Sequence, residues 1–157
     1  MAVEIERKFL VVGEAWRSLA TGTVYRQGYI STAELTTVRV RIAGDQGYLT
    51  LKGAVEGITR SEFEYPIPKA DAEAMLSTLC RRPFIEKTRY RIKQNGFCWE
   101  VDEFAGDNHG LILAEVELTD ADQVVDLPDW VGEEVSSDPR YFNSNLARYP
   151  FSRWCHD

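Results

Sequence analysis

Histidine and cysteine are both scarce. The 157-residue chain has two histidines, His109 and His156, and three cysteines, Cys80, Cys98 and Cys155. So few histidines leave little room for a Ser-His-Asp triad or a histidine-based zinc site. An odd number of cysteines with no CxxC spacing argues against a disulfide framework and a thiolate zinc site. A reducing cytoplasm is the expected location. No apolar run approaches the roughly 20 residues that span a bilayer, so no membrane partner is expected. The start, Met1 to Phe9, is charged at once, unlike a secretory signal. The glycine-rich phosphate cradles GxxxxGK[ST] and GxGxxG are absent. A net charge of −7 disfavours duplex nucleic acid as the main partner. It does not exclude a local basic cavity. Any catalysis must rest on carboxylates, lysines, arginines and tyrosines.

What the chain has is alternation. A length of 157 residues suggests one domain, residues 1–157, under the usual prior of roughly 100–200 residues per domain. Most of it repeats with period two, the strand signature. In 3–11, Val3, Ile5 and Phe9 share one face while Glu4, Glu6 and Lys8 share the other. The same pattern predicts strands over 23–31, 36–43, 48–53, 60–67, 85–93, 97–104 and 111–119, mostly in a meander. Tyr25, Gln27 and Tyr29 fall on one face of the second. The Asn95-Gly96 pair predicts a type I′ turn between 85–93 and 97–104. Residues 69–81 place Ala72, Met75, Leu76 and Leu79 at helical spacing, which predicts one amphipathic helix. Short helices are expected over 13–19 and 120–126. Ser137-Asp138-Pro139 is a good start for another that runs to Leu146.

The charged faces recur from strand to strand: Glu4/Glu6/Lys8, Arg39/Arg41, Lys52, Glu62/Glu64, Lys87/Arg89/Arg91, Glu100/Asp102 and Glu115/Glu117. Alternation alone does not say which face is inside, and a solvated face would look the same. Two features favour the charged face inside. Like signs are segregated by strand, whereas a soluble surface mixes them. The helix at 69–81 also needs an apolar wall outside the sheet to pack on. A cavity so lined is costly unless its charges are paired or bind ions. Arginine and lysine bind phosphate oxygens, and carboxylates bind hard divalent cations such as Mg²⁺ or Mn²⁺. Both together suit a metal–polyphosphate complex.

Glu4-Ile5-Glu6-Arg7-Lys8 matches the ExExK signature of the CYTH, or triphosphate tunnel metalloenzyme, family. Arg39-Val40-Arg41, Thr50-Leu51-Lys52, Glu62-Phe63-Glu64, Lys87-Thr88-Arg89, Glu100-Val101-Asp102 and Glu115-Val116-Glu117 follow in order. That set resembles the family over residues 3–117, and Asp138 to Asn143 looks like its bacterial branch. The resemblance implies a mainly β (α+β) fold: an eight-stranded antiparallel closed barrel, the triphosphate tunnel, with a few peripheral helices. It implies metal-dependent hydrolysis of a triphosphate (tripolyphosphate, thiamine triphosphate or RNA 5′-triphosphate ends), and the chain most resembles the small bacterial members that act on inorganic tripolyphosphate. A class IV-type adenylate cyclase and a non-catalytic polyphosphate-binding module are the alternatives. The expected partner is a small-molecule triphosphate, and a homodimer is left open.

The resemblance also carries roles. Glu4, Glu6 and Glu117 match positions that hold a catalytic metal. Lys8, Arg39, Arg41, Lys52, Lys87 and Arg89 match positions that bind the phosphate chain. Glu62, Glu64, Asp102 and Glu115 are candidates for a second metal, for positioning the attacking water or for pairing with arginines. Glu62 and Asp102 rank above Glu64 and Glu100. Tyr29 is either beside the terminal phosphate or a packed aromatic. Arg91 continues the Lys87/Arg89 face, and either joins them on the phosphate chain or has a rim or structural role. The catalytic expectation is thus Glu4, Glu6, Lys8, Tyr29, Glu62 and Asp102, and the metal set Glu4, Glu6, Glu62, Asp102, Glu115 and Glu117. Attack by a metal-activated water on a terminal phosphoryl group is the favoured mechanism, with the cations stabilising developing charge.

Overall fold

The computed structural model describes residues 3–33 and 35–154. Cys155 and His156 lie outside the described residues. Eight strands form the wall: β1 (Val3–Val11), β2 (Gly22–Ile30), β3 (Thr37–Ala43), β4 (Gln46–Lys52), β5 (Thr59–Ile67), β6 (Ile85–Gln94), β7 (Phe97–Phe104) and β8 (Ile112–Glu117). Their order is β5-β4-β3-β2-β6-β7-β8-β1, and β1 also pairs with β5, which closes an antiparallel barrel. Closure removes the sheet edges. The β6–β7 turn has φ 55° at Asn95 and 79° at Gly96, the positive values that a type I′ turn requires.

Helix α1 (Lys69–Thr78) crosses outside the wall and buries Ala72 and Leu76 against Val40 and Ile42. Glycine lets it sit close. A Cβ at Gly28 would come within 2.9 Å of the Cys80 Cβ, and one at Gly47 within 3.0 Å of the Ala72 Cβ. A second outer cluster packs Phe9, Trp99, Val101, Ala114 and Val116 with Trp16 and Trp130. The apolar faces therefore point outward into covering layers, and the charged faces point inward.

Three expectations need correction. Residues 120–126 form turns, not a helix. The Asp120 carboxylate accepts from the Asp122 N–H, and the Gln123 side chain accepts from the Thr119 N–H. These local bonds compete with helical ones; Val124 is left exposed while Val125 packs on the outer cluster from a non-helical segment. The tail helix is broken in two: a 3₁₀ turn over Pro139–Tyr141, then α2 (Asn143–Arg148), with extended Phe142 between them. A ninth strand, β9 (Val131–Glu134), was not expected. It pairs with the far end of β1, beyond the part that meets β5.

The inward rows change character along the barrel. Glu4, Glu6 and Lys8 end at Leu10; Arg91, Arg89 and Lys87 end at Ile85; Asp102 ends at Phe104; Glu115 ends at Leu113. At that apolar end Ile85, Phe104 and Leu113 pack with Tyr141, Leu146 and Trp154 of the tail. The tail thus stoppers one end and leaves the charged end open. Leu146 is fully buried in the stopper. Leu146→Ala is expected to cost about 2–5 kcal/mol, the usual range for a buried leucine truncation. Urea unfolding followed by tryptophan fluorescence checks this, and a loss below about 1 kcal/mol would mean that the tail does not hold the barrel end.

Candidate active site inside the barrel

Strand register decides how the inward charges meet. Cross-strand neighbours are Lys8 with Glu115, Arg89 with Asp102, Arg91 with Glu100, Lys52 with Glu62 and Glu4 with Arg60. Opposite signs face each other in all of these, which stabilises the wall. Two pairs break the rule: Glu6 faces Glu117, and Glu100 faces Glu115. Like charges directly opposite are destabilising. The carboxylates therefore outnumber their partners along β1, β7 and β8.

The cavity holds about 240 Å³. Its basic lining is Lys8, Arg39, Arg41, Lys52, Arg60, Lys87, Arg89 and Arg91, and its acidic lining Glu4, Glu6, Glu62, Glu64, Glu100, Glu115 and Glu117. All the expected phosphate-binding residues are brought together, and Tyr29 lines the same space. So do five of the six expected metal residues.

Asp102 is the exception: it is on the inward face but fully buried beneath Lys87 and Arg89, which cover it from the cavity. Its carboxylate accepts from Lys87 Nζ at 2.7 Å and from Arg89 Nε and Nη2 at 2.7 and 2.8 Å. Burial works against its charge, yet Arg89 and Lys87 outweigh it and hold the pKa below the ordinary value. Asp102 is thus placed to set two cations in position. Glu64 and Glu100, ranked below it from sequence, line the cavity. Glu64 accepts from Arg39 Nη2 and from the Thr50 hydroxyl.

Lys52 Nζ sits 3.2 Å from both Glu4 and Glu62. Burial and the neighbouring Glu62 push Glu4 up to about 7, against the pull of Lys52. Burial, then Glu115 and Glu4, push Glu6 up to about 8. Glu117 is raised by burial and by Glu4 and Glu100. Glu115 goes the other way. Burial opposes its charge, but Lys8, Arg89 and Lys87 hold it well below the carboxylate range. At the deep end burial lowers Lys87 to about 7, and burial with Arg39 and Arg89 lowers Arg41 to about 9.

Several lining residues were missed in the sequence. Arg60 shares the face of Glu62 and Glu64 at i−2, so the alternation that found them was signal enough. Asn143, Phe142 and Ser136 also line the cavity. They come from the tail, and no periodicity links them to the wall.

The CYTH domain family profile matches residues 2–148 of this chain. The chain belongs to the CYTH domain family. It is 53% identical over 154 residues to an inorganic triphosphatase of Acetivibrio thermocellus, covering 98% of this chain and 99% of that one. It is 40% identical over 153 residues to an inorganic triphosphatase of Nitrosomonas europaea, covering 92% and 96%. A solved crystal structure of an inorganic triphosphatase superposes with a TM-score of 0.64 at 38% identity, covering 94% and 95%. The expected barrel is the one found.

Family membership implies a divalent metal. Among the described residues no three His, Cys, Asp or Glu side chains already stand close enough to hold an ion. Lys52 is the cation between Glu4 and Glu62. The donor set nevertheless fits a hard divalent cation. It is all oxygen, and the unmatched facing pair Glu6–Glu117 beside Glu4 leaves negative charge uncompensated.

The raised Glu6 gives a pH test with a definite sign. A carboxyl with a folded pKa above its unfolded one costs nothing below the unfolded value, here 4.5, and its full penalty appears once the pH passes about 8. Glu6→Gln removes that penalty. In chelator, the variant's stability advantage over the parent is expected to be small near pH 4.5 and to grow through pH 8 in paired urea titrations. Equal stability at both ends would contradict the crowded-carboxylate reading.

Proposed function

We propose that this chain is a divalent-cation-dependent triphosphatase that hydrolyses inorganic tripolyphosphate to pyrophosphate and phosphate. The observation that carries the reading is the closed barrel cavity with basic and acidic walls brought together by register. Its aromatic lining is limited to Tyr29 and Phe142, which offers a nucleobase little to stack on. That supports an inorganic chain over a nucleotide. The curated relatives, both inorganic triphosphatases, point the same way. Among the described residues no helix is long and apolar enough to cross a membrane. Cys80 and Cys98 are free thiols, which supports a reducing cytoplasm.

The roles follow from position. Lys8, Arg39, Arg41, Lys52, Lys87 and Arg89 bind and straighten the phosphate chain, the arginines through forks of N–H donors and the lysines as point charges. A divalent cation, Mg²⁺ or Mn²⁺, held by Glu4, Glu6 and Glu117 with Glu62 and Glu115 nearby, would supply Lewis acidity that acidifies water and neutralises phosphate charge. Water oxygen attacks the terminal phosphorus in line, the P–O bond to the leaving group breaks, and pyrophosphate departs with the electron pair. The basic residues stabilise the charge that develops on the leaving oxygens. Asp102 keeps Lys87 and Arg89 aimed while it stays out of contact with the chain. The stopper of tail residues at the deep end limits how far the phosphates enter.

Phosphate release from tripolyphosphate tests the reading. Activity is expected with Mg²⁺ or Mn²⁺, none in excess chelator, and recovery when the ion is restored. ATP is expected to yield no cyclic AMP. Full activity after exhaustive chelation would remove the metal from the mechanism. Cyclic AMP from ATP with no release from tripolyphosphate would favour the cyclase.

A further inference from the structure

The six cations assigned to phosphate are not held alike. Lys8 pairs with Glu115, Arg39 with Glu64, Lys52 with Glu4 and Glu62, Lys87 with Asp102, and Arg89 with Asp102 and Glu100. Arg41 differs. Among the described residues it forms no ion pair, and its one hydrogen bond within the protein runs from Nε to Gln27 Oε1 at 2.8 Å. Its guanidinium lies 4.8 Å from the Tyr25 ring centroid, a contact that attracts a cation without adding a negative charge.

Gln27 is fully buried and does not line the cavity. Register places it directly across from Arg41. All its nearby bonds are to groups that do line the cavity. Besides Arg41, its Nε2 donates to the Tyr29 hydroxyl at 2.9 Å and to Asn143 Oδ1 at 3.2 Å. Asn143 Oδ1 also accepts from Lys87 Nζ at 2.9 Å. Two carboxamides thus link Arg41, Tyr29 and Lys87 in one network, and neither carries charge.

We propose that Gln27 is a positioning residue for the triphosphate: its neutral carboxamide fixes the Arg41 guanidinium without neutralising it and, through Asn143, steadies Lys87. The choice of an amide has a physical consequence. A carboxylate partner would compete with phosphate for the same guanidinium, and separating a buried ion pair is costly. An amide orients Nε and leaves the full charge of Arg41 for the incoming anion. Gln27 also needs both ends of its amide. The acceptor serves Arg41, and the donor keeps Asn143 Oδ1 turned toward Lys87.

The inference rests on the triphosphatase reading, and the test separates the two. Parent, Gln27→Glu, Gln27→Met and Asn143→Ala are compared for tripolyphosphate turnover. Each is also compared for thermal protection by tripolyphosphate in chelator, which does not need turnover. Gln27→Glu keeps size and the acceptor for Arg41 but loses the donor to Asn143, so its melting temperature is measured first to establish that it folds. Its KM should rise at least about tenfold, with kcat changed by less than about threefold, because the lost interaction is one of binding. Its thermal protection should shrink in parallel. Gln27→Met should also raise KM, through loss of orientation, and Asn143→Ala should raise it less, through Lys87 alone. A residue that only fills space would leave the neutral, similarly sized Gln27→Met as good a binder as the parent. If the folded Gln27 variants keep KM and protection within about twofold of the parent, the proposal is overturned. If neither Gln27 variant folds, Asn143→Ala decides it by the same two readouts. A parent that binds tripolyphosphate but does not hydrolyse it would sink the triphosphatase reading, and the protection series would still judge Gln27.

Discussion

The structure depends on charge being matched across a closed wall. A barrel that turns its charged faces inward holds ions away from bulk water, and each must find a partner or remain a liability. Register supplies most of the partners. Asp102 shows the principle at its tightest, with both oxygens committed to Lys87 and Arg89 in a fully buried triad. Sliding β7 by one residue against β6 would turn its charges outward and leave Arg89 buried without a counter-ion. The fold and the site are therefore one electrostatic problem, solved by strand pairing.

The matching is deliberate in where it stops. At the deep end Arg41 is steadied by an amide and an aromatic ring, and its charge stays unspent. Near the mouth Glu6 and Glu117 face each other with no cation between them in the register. One region therefore has positive charge to offer and the other negative, within a single cavity. A polyanion and a divalent cation bound together would complete both. The same imbalance shows in the protons: Glu6 is pushed up to about 8 while Glu115, surrounded by Lys8, Arg89 and Lys87, is held down.

Much of this was legible in the sequence because strands write their faces with period two. The charged rows, the eight wall strands, the Asn95-Gly96 turn and the α1 face all follow from local pattern. That the residues expected to bind phosphate share one cavity was legible as well, since every inward basic row lines it. What was not legible depends on contacts between distant segments. β9 is four residues long, too short for alternation to stand out, and exists only because β1 extends past β5. The roles of Asn143 and Phe142 arise when the tail folds over the barrel end. Asp102 shares the inward face with Glu100, and only the three-dimensional packing shows that Lys87 and Arg89 cover the first while the second faces the cavity. Gln27 was visible beside Tyr25 and Tyr29, but a neutral residue among so many charges gave no signal of its use. The helix expected at 120–126 failed because side chains there bond to nearby backbone, and Val124 finds no apolar cover.

The central claim is that the inward charges converge on one triphosphate inside the barrel. A crystal structure of the chain with tripolyphosphate in chelator tests it most directly. The account predicts one tripolyphosphate in the cavity, with oxygens within about 3 Å, normal hydrogen-bond distance, of Arg39, Arg41, Lys87 and Arg89, and Asp102 still paired with Lys87 and Arg89. Tripolyphosphate bound only on the outer surface, with the barrel cations still closed on their carboxylates, would contradict it.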